Sequence, residues 1–96
     1  MKTLADFKRA MQIGSQWYRK HVHENDWTER TVTKVGSGYV SVATNEGKEV
    51  RLDFPKASEF EVNANGEAEI YWPAVYSTYD NSLQSPRRLV LTYRKA

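Results

Sequence analysis

Thr31-Val32-Thr33-Lys34-Val35-Gly36-Ser37-Gly38-Tyr39-Val40-Ser41-Val42-Ala43-Thr44-Asn45-Glu46-Gly47-Lys48-Glu49-Val50-Arg51-Leu52-Asp53-Phe54 holds the clearest structural signature in the chain. Thr31–Val35 is rich in β-branched residues, which suit a pleated, half-buried surface. Gly36-Ser37-Gly38 marks a tight turn. Tyr39–Thr44 then alternates, with Val40 and Val42 on one face and Ser41 on the other. Asn45-Glu46-Gly47 is a second turn. Lys48–Phe54 alternates best: Val50, Leu52 and Phe54 point one way, and Glu49, Arg51 and Asp53 the other. Period-two alternation interrupted by two glycine turns predicts a three-stranded meander.

The segments on either side extend this pattern. Pro55 stops the third strand, and Lys56-Ala57-Ser58-Glu59 reads as one helical turn or a bend. Phe60 and Val62 resume a β pattern, Asn63-Ala64-Asn65-Gly66 signals a hairpin, and Glu67–Trp72 returns with Ala68, Ile70 and Trp72 on one face. Val75–Tyr79 reads as a short edge strand or an irregular run, and residues 80–86 as a polar loop. Arg87–Lys95 is a final strand. Upstream, Ser15–His23 is β and Asn25-Asp26 a loop. At the start, Thr3 and Asp6 form a capping box, and Leu4, Phe7 and Met11 give one apolar stripe of a short helix that Gly14 ends. Such a helix is unstable alone in water and needs a surface to lie on. The expected fold is α+β and mainly β. Residues 1–96 form a single domain, with a helix over residues 1–14 followed by a strongly bent antiparallel sheet or small barrel of 6–7 strands over residues 15–96. A helix packed on an open antiparallel sheet is the alternative.

The 96 residues are 40% hydrophobic and 27% charged, with three Trp, six Tyr and three Phe. That length buries roughly two-thirds of the surface the unfolded chain exposes, enough for one core. The aromatic content sets the chain apart from disordered sequences. No cysteine is present, which excludes disulfides, thiolate metal sites and a thiol nucleophile. The opening residues lack the apolar stretch of a signal peptide, and no apolar run is long enough to span a membrane, so the expected location is cytoplasmic. The net charge of +2 is unevenly spread. Residues 1–48 carry 8 Lys/Arg and 5 Asp/Glu, residues 49–86 carry 2 and 7, and residues 87–96 carry 4 and 0. If the two ends meet, a basic side lies opposite an acidic one.

Three groups of residues carry candidate chemistry. Trp17-Tyr18-Arg19-Lys20, Arg87-Arg88 and Arg94-Lys95 interleave aromatic and basic side chains, the combination that stacks bases and neutralises phosphates in single-stranded nucleic acid. The same residues suit a protected sheet edge with Trp17 in the core. His21 and His23 share a strand face and Glu24 and Asp26 follow, but with no third histidine and no cysteine they make an incomplete metal site. No cofactor is implied. Glu59 and Glu61 share one face, as do Glu67 and Glu69; opposed across a hairpin they put like charges together, which is unfavourable unless something positive sits nearby. No phosphate-cradling loop or nucleophile elbow occurs, so the residues point away from an enzyme.

Lys2–Arg9 with Gly14-Ser15-Gln16-Trp17, Arg30–Val35, and Leu52–Phe60 together resemble a group of small uncharacterised proteins of bacteriophages and bacterial mobile elements, over residues 2–72. The resemblance implies an accessory protein that acts by binding a host or phage macromolecule, and it transfers no site. The expected function is a non-catalytic module that binds a protein, for example to inhibit a nucleic-acid-handling complex. Direct single-stranded nucleic-acid binding through Trp17, Tyr18, Arg19, Lys20, Arg87, Arg88, Arg94 and Lys95 is the alternative. A homodimer formed through Tyr76, Tyr79, Tyr93 and a short edge strand is a further option.

Overall fold

A computed structural model describes residues 1–96. The first element is a helix, α1, at Leu4–Ala10. The Thr3 hydroxyl accepts from the Asp6 N–H at 3.2 Å, and the Asp6 carboxylate accepts from the backbone N–H groups of Lys2 and Thr3 at 2.9 and 3.1 Å. These bonds satisfy donors that the first helical turn leaves free. The helix is shorter than the apolar stripe suggested. Met11 already leaves helical geometry (ψ 66°), although its side chain stays in the core.

The strands follow as β1 (Gln16–His21), β2 (Thr28–Gly36), β3 (Tyr39–Ala43), β4 (Glu49–Asp53), β5 (Phe60–Val62), β6 (Ala68–Trp72), β7 (Val75–Tyr76), β8 (Leu83–Ser85) and β9 (Arg88–Lys95). A 3-10 turn at Ala57–Glu59 follows Pro55. Seven strands form one antiparallel sheet in the order β4-β3-β2-β1-β9-β6-β5. The meander over β2, β3 and β4 is as the alternation predicts, and Gly38 holds the β2–β3 turn at φ +77°, a conformation costly for other residues. The last strand, β9, lies between β1 and β6, so both ends of the chain meet: Trp17 pairs with Lys95, and Ala96 N–H donates to the Gln16 carbonyl.

Two register shifts bend the sheet, one between Val32 and Lys34 in β2 and one between Ile70 and Tyr71 opposite β9. An extra residue in one strand raises local twist and curls the sheet. It still does not close into a barrel: β4 and β5 are unpaired edges at opposite ends of the order. Pro55 has no N–H to offer a ladder, and the 3-10 turn separates the two edges. The Phe7 side chain of α1 fills the space between them. Its ring lies 6.1 Å from Phe54, just past β4, and 5.4 Å from Phe60 in β5, and it also meets Trp17 edge-on at 5.5 Å and Tyr93 at 6.1 Å. Around Phe7 the core gathers Met11, Trp17, Val32, Val40, Val42, Leu52, Phe60, Ala68, Ile70 and Tyr93.

Residues 80–86, expected as a loop, contribute β8. It pairs with β7 as a separate two-stranded ribbon, Val75 with Ser85 and Tyr76 with Leu83. The radius of gyration is 14.5 Å, above the roughly 12.5 Å of a compact chain of this length, as an appendage standing off the core requires. No helix is long and apolar enough to cross a membrane.

Candidate binding surfaces

Strand geometry divides the predicted basic-aromatic set. Successive side chains on a strand point to opposite faces, so Trp17 and Arg19 face the core side while Tyr18 and Lys20 face outward. Trp17 is 1% exposed, and its indole N–H donates to the Ser15 hydroxyl at 3.1 Å. It packs on Phe7 and presents no ring face to a base, as the core reading of Trp17 expects, and this removes it from the basic-aromatic set. Arg19 is on the core side, its guanidinium 3.0 Å from the Glu24 carboxylate. The His21 backbone N–H, followed by the Arg19 charge, holds the Glu24 carboxyl below its ordinary range.

Tyr18, Lys20 and Arg94 do come together on the outer face. Tyr18 pairs with Arg94 in register. The Arg94 guanidinium lies 5.1 Å from the Tyr18 ring centre and 4.3 Å from that of Trp27, and the Lys20 ammonium is 5.8 Å from Trp27. Trp27 was missed at the sequence level because it follows the Asn25-Asp26 loop signal outside any alternating run. No local pattern marks it as a partner of Lys20 and Arg94. In this cluster the rings are already covered by the protein's own cations, each contact worth about 0.5–1 kcal/mol at an exposed site.

The remaining basic residues lie elsewhere. Arg87 is bound to Glu61 at 3.0 Å, donates to the Ser58 carbonyl at 3.3 Å and stacks 4.1 Å over the Tyr71 ring. This resolves the acidic hairpin: of the four glutamates only Glu61 and Glu69 come opposite each other, with Arg87 on Glu61 and the Tyr71 hydroxyl donating to Glu69 at 3.0 Å. Burial, then the Glu69 contact, pushes the Tyr71 phenol up. Arg88 borders a cavity of about 360 Å³ with His21, His23 and Trp72. Lys95 lies beside α1 near Lys2, Asp6 and Arg9. The eight predicted residues therefore do not form one surface.

The His21 and His23 rings are 5.3 Å apart, and the His23 backbone N–H donates to His21 Nδ1 at 3.2 Å. No group of three or more His, Asp or Glu side chains is placed to hold a metal ion.

Five of the ten exposed large hydrophobic side chains lie on the β7–β8 ribbon and its base. Trp72, Val75, Tyr76 and Leu83 are all more than half exposed, and Tyr79 at the tip is 98% exposed. The tip is ordered by its own polar groups. Ser77 and Ser82 close it backbone to backbone at 2.8 Å, and the Asp80 carboxylate accepts from the Ser82 N–H and hydroxyl at 3.0 and 2.7 Å. The Ser82 hydroxyl, then its N–H, holds the Asp80 carboxyl below its ordinary range. Asn81 takes the left-handed conformation at φ 59°, which asparagine tolerates better than most residues. Tyr93, expected beside Tyr76 and Tyr79 in an association patch, is instead 2% exposed in the core. Its ring faces inward with Ala68, so it takes no part in that surface.

Neither a protein-family model nor a curated protein nor a solved structure matches the chain.

Proposed function

We propose that the protein is a non-catalytic binding module whose β7–β8 arm inserts into a protein partner. The carrying observation is Tyr79, 98% exposed at the tip of a self-bonded turn with Val75, Tyr76 and Leu83 behind it. Exposed tyrosine and tryptophan on a preorganised loop supply large contact area at low entropic cost, the usual composition of interface hot spots. A ribbon this short contributes little to its own stability in water, so its apolar side chains gain most by burial in a second molecule. In the setting the resemblance implies, the partner is a host or phage protein.

The test places a photo-crosslinking residue at position 79 and, as a control on another surface, at position 56. A single adduct at position 79 that disappears with Trp72→Ser plus Tyr76→Ser supports the reading. Equal labelling from both positions, or none, refutes it. If light scattering shows a dimer that Tyr79→Ser dissolves, the partner is a second copy of the chain.

The outer cluster of Tyr18, Lys20, Trp27 and Arg94 supports a second reading, contact with single-stranded nucleic acid. Glu29 opposite Tyr18, and Glu69 in the same cross-strand row as Lys20, weaken its positive field. Anisotropy of a labelled oligonucleotide that shows no binding at about 50 mM salt removes this reading.

A further inference from the structure

Arg19 and Arg30 occupy positions that the fold reserves for apolar side chains. Each lies two residues from a core residue on the same strand face, Arg19 from Trp17 and Arg30 from Val32, and Arg19 sits opposite buried Tyr93. Inward charges protect edge strands from pairing. That does not account for these two, because β1 and β2 are interior strands flanked by β9 and β3. The two arginines instead border a cavity of about 150 Å³ whose walls include Val42, Val50, Leu52 and Leu91. No carboxylate lines it. A third arginine at its rim, Arg51, is committed to Asp53 at 2.7 Å and to the Tyr39 ring at 3.9 Å. Glu24 holds Arg19 from one side, while Arg30 has no acidic partner and only donates to the neighbouring Glu29 carbonyl at 2.8 Å. The buried Tyr93 phenol faces both guanidinium groups, whose charge acts against the upward push of burial on its pKa.

We infer that this cavity binds a small carboxylate with a short apolar body. The carboxylate sits between the Arg19 and Arg30 forks, and the body lies against Val42, Val50 and Leu91. Glu24 engages only one terminal nitrogen of Arg19 and Arg30 has no ion pair, so a bound anion adds attraction to both guanidinium groups. The planar fork of arginine matches a carboxylate in two parallel hydrogen bonds. The volume bounds the size of the body: an interior cavity of about 150 Å³ admits a guest the size of benzene. A branched body of about five carbons fits, and a nucleotide does not. This site is separate from the β7–β8 arm, so either reading can fail alone.

The experiment titrates isotope-labelled protein with isovalerate, inorganic phosphate and 3-methyl-1-butanol, following the Arg19 and Arg30 side-chain N–H signals and the Val42, Val50 and Leu91 methyls by NMR. Isovalerate is expected to shift both sets saturably. Phosphate lacks the body and is expected to bind about tenfold more weakly or worse, and the alcohol lacks the charge and gives no saturable shift. Arg30→Gln, at a half-exposed position without an ion pair, is expected to weaken isovalerate at least tenfold. Val50→Phe, on the edge strand, fills the cavity without changing charge and is expected to block it; the dispersed spectrum of each variant reports its fold. The inference is overturned if isovalerate gives no saturable shift up to about 30 mM. It is equally overturned if phosphate or the alcohol binds as well, or if either folded variant binds isovalerate like the parent.

Discussion

Replacing Phe7 by Ala tests how the open sheet is held. The side chain is fully buried and touches four aromatic rings that belong to β1, β5, β9 and the segment after β4. Truncating a buried Phe to Ala costs about 3–5 kcal/mol, covering lost transfer free energy and the cavity left behind. A chain of this length has a total stability of about 5–14 kcal/mol, so the substitution removes a large share. Each 1 kcal/mol moves the midpoint of a domain this size by roughly 4–8 °C, which puts the expected fall in Tm at about 12 °C or more. Phe7→Leu keeps much of the volume but loses the edge-on contact with Trp17, and should cost about 1–1.5 kcal/mol. Urea unfolding followed by tryptophan fluorescence measures both, since Trp17 reports directly on the site. If Phe7→Ala costs less than about 1 kcal/mol, α1 is not what joins the two edges, and the account of the core is wrong.

Gly36 provides a second test. A Cβ there would lie 2.2 Å from Tyr39 Cε1, and that ring is covered by Arg51 at 3.9 Å and approached by Lys34 at 5.8 Å. Gly36→Ala should displace the ring and lower stability by about 0.5–1 kcal/mol, whereas Ala at an unobstructed strand glycine raises it; a higher Tm would contradict the packing described. Acid should weaken the fold through Asp6 and Glu24. Their folded pKa values are depressed, chiefly by the Lys2 and His21 backbone N–H groups, so their contribution is present above the ordinary values of 3.8 and 4.5 and is lost as pH falls through the folded values. Thermal melts between pH 7 and pH 3 should show a smaller loss for Asp6→Asn than for the parent; an identical loss would remove Asp6 from the account.

Much of the local structure was legible in the sequence. The meander followed from alternation at Val40, Val42, Val50 and Leu52, and the helix start from Thr3 and Asp6, because both signals lie within a few residues. The place of β9 between β1 and β6 was not legible, since its pairing with β1 joins residues 70 to 78 apart, which no local pattern encodes. β8 was hidden because Leu83 is the one apolar residue in a polar run and β8 pairs only with the two residues of β7. Reading Trp17-Tyr18-Arg19-Lys20 as one surface failed for a reason already present in the sequence: neighbours on a strand alternate sides. The same alternation turns Arg94 outward and Lys95 toward α1. The clustering of Arg19 and Arg30 at one cavity was out of reach, because their proximity is a matter of register between β1 and β2.

The central position of β9 also bears on how the molecule is made. A growing chain can build β1 to β4 as one half-sheet and β5 with β6 as another, each from hairpins closed as soon as they emerge. No strand ladder joins the two halves until the ninth strand leaves the ribosome and slots between β1 and β6. Until then the edges of β1 and β6 that β9 covers have no strand partner, so completing the sheet falls to the last strand made.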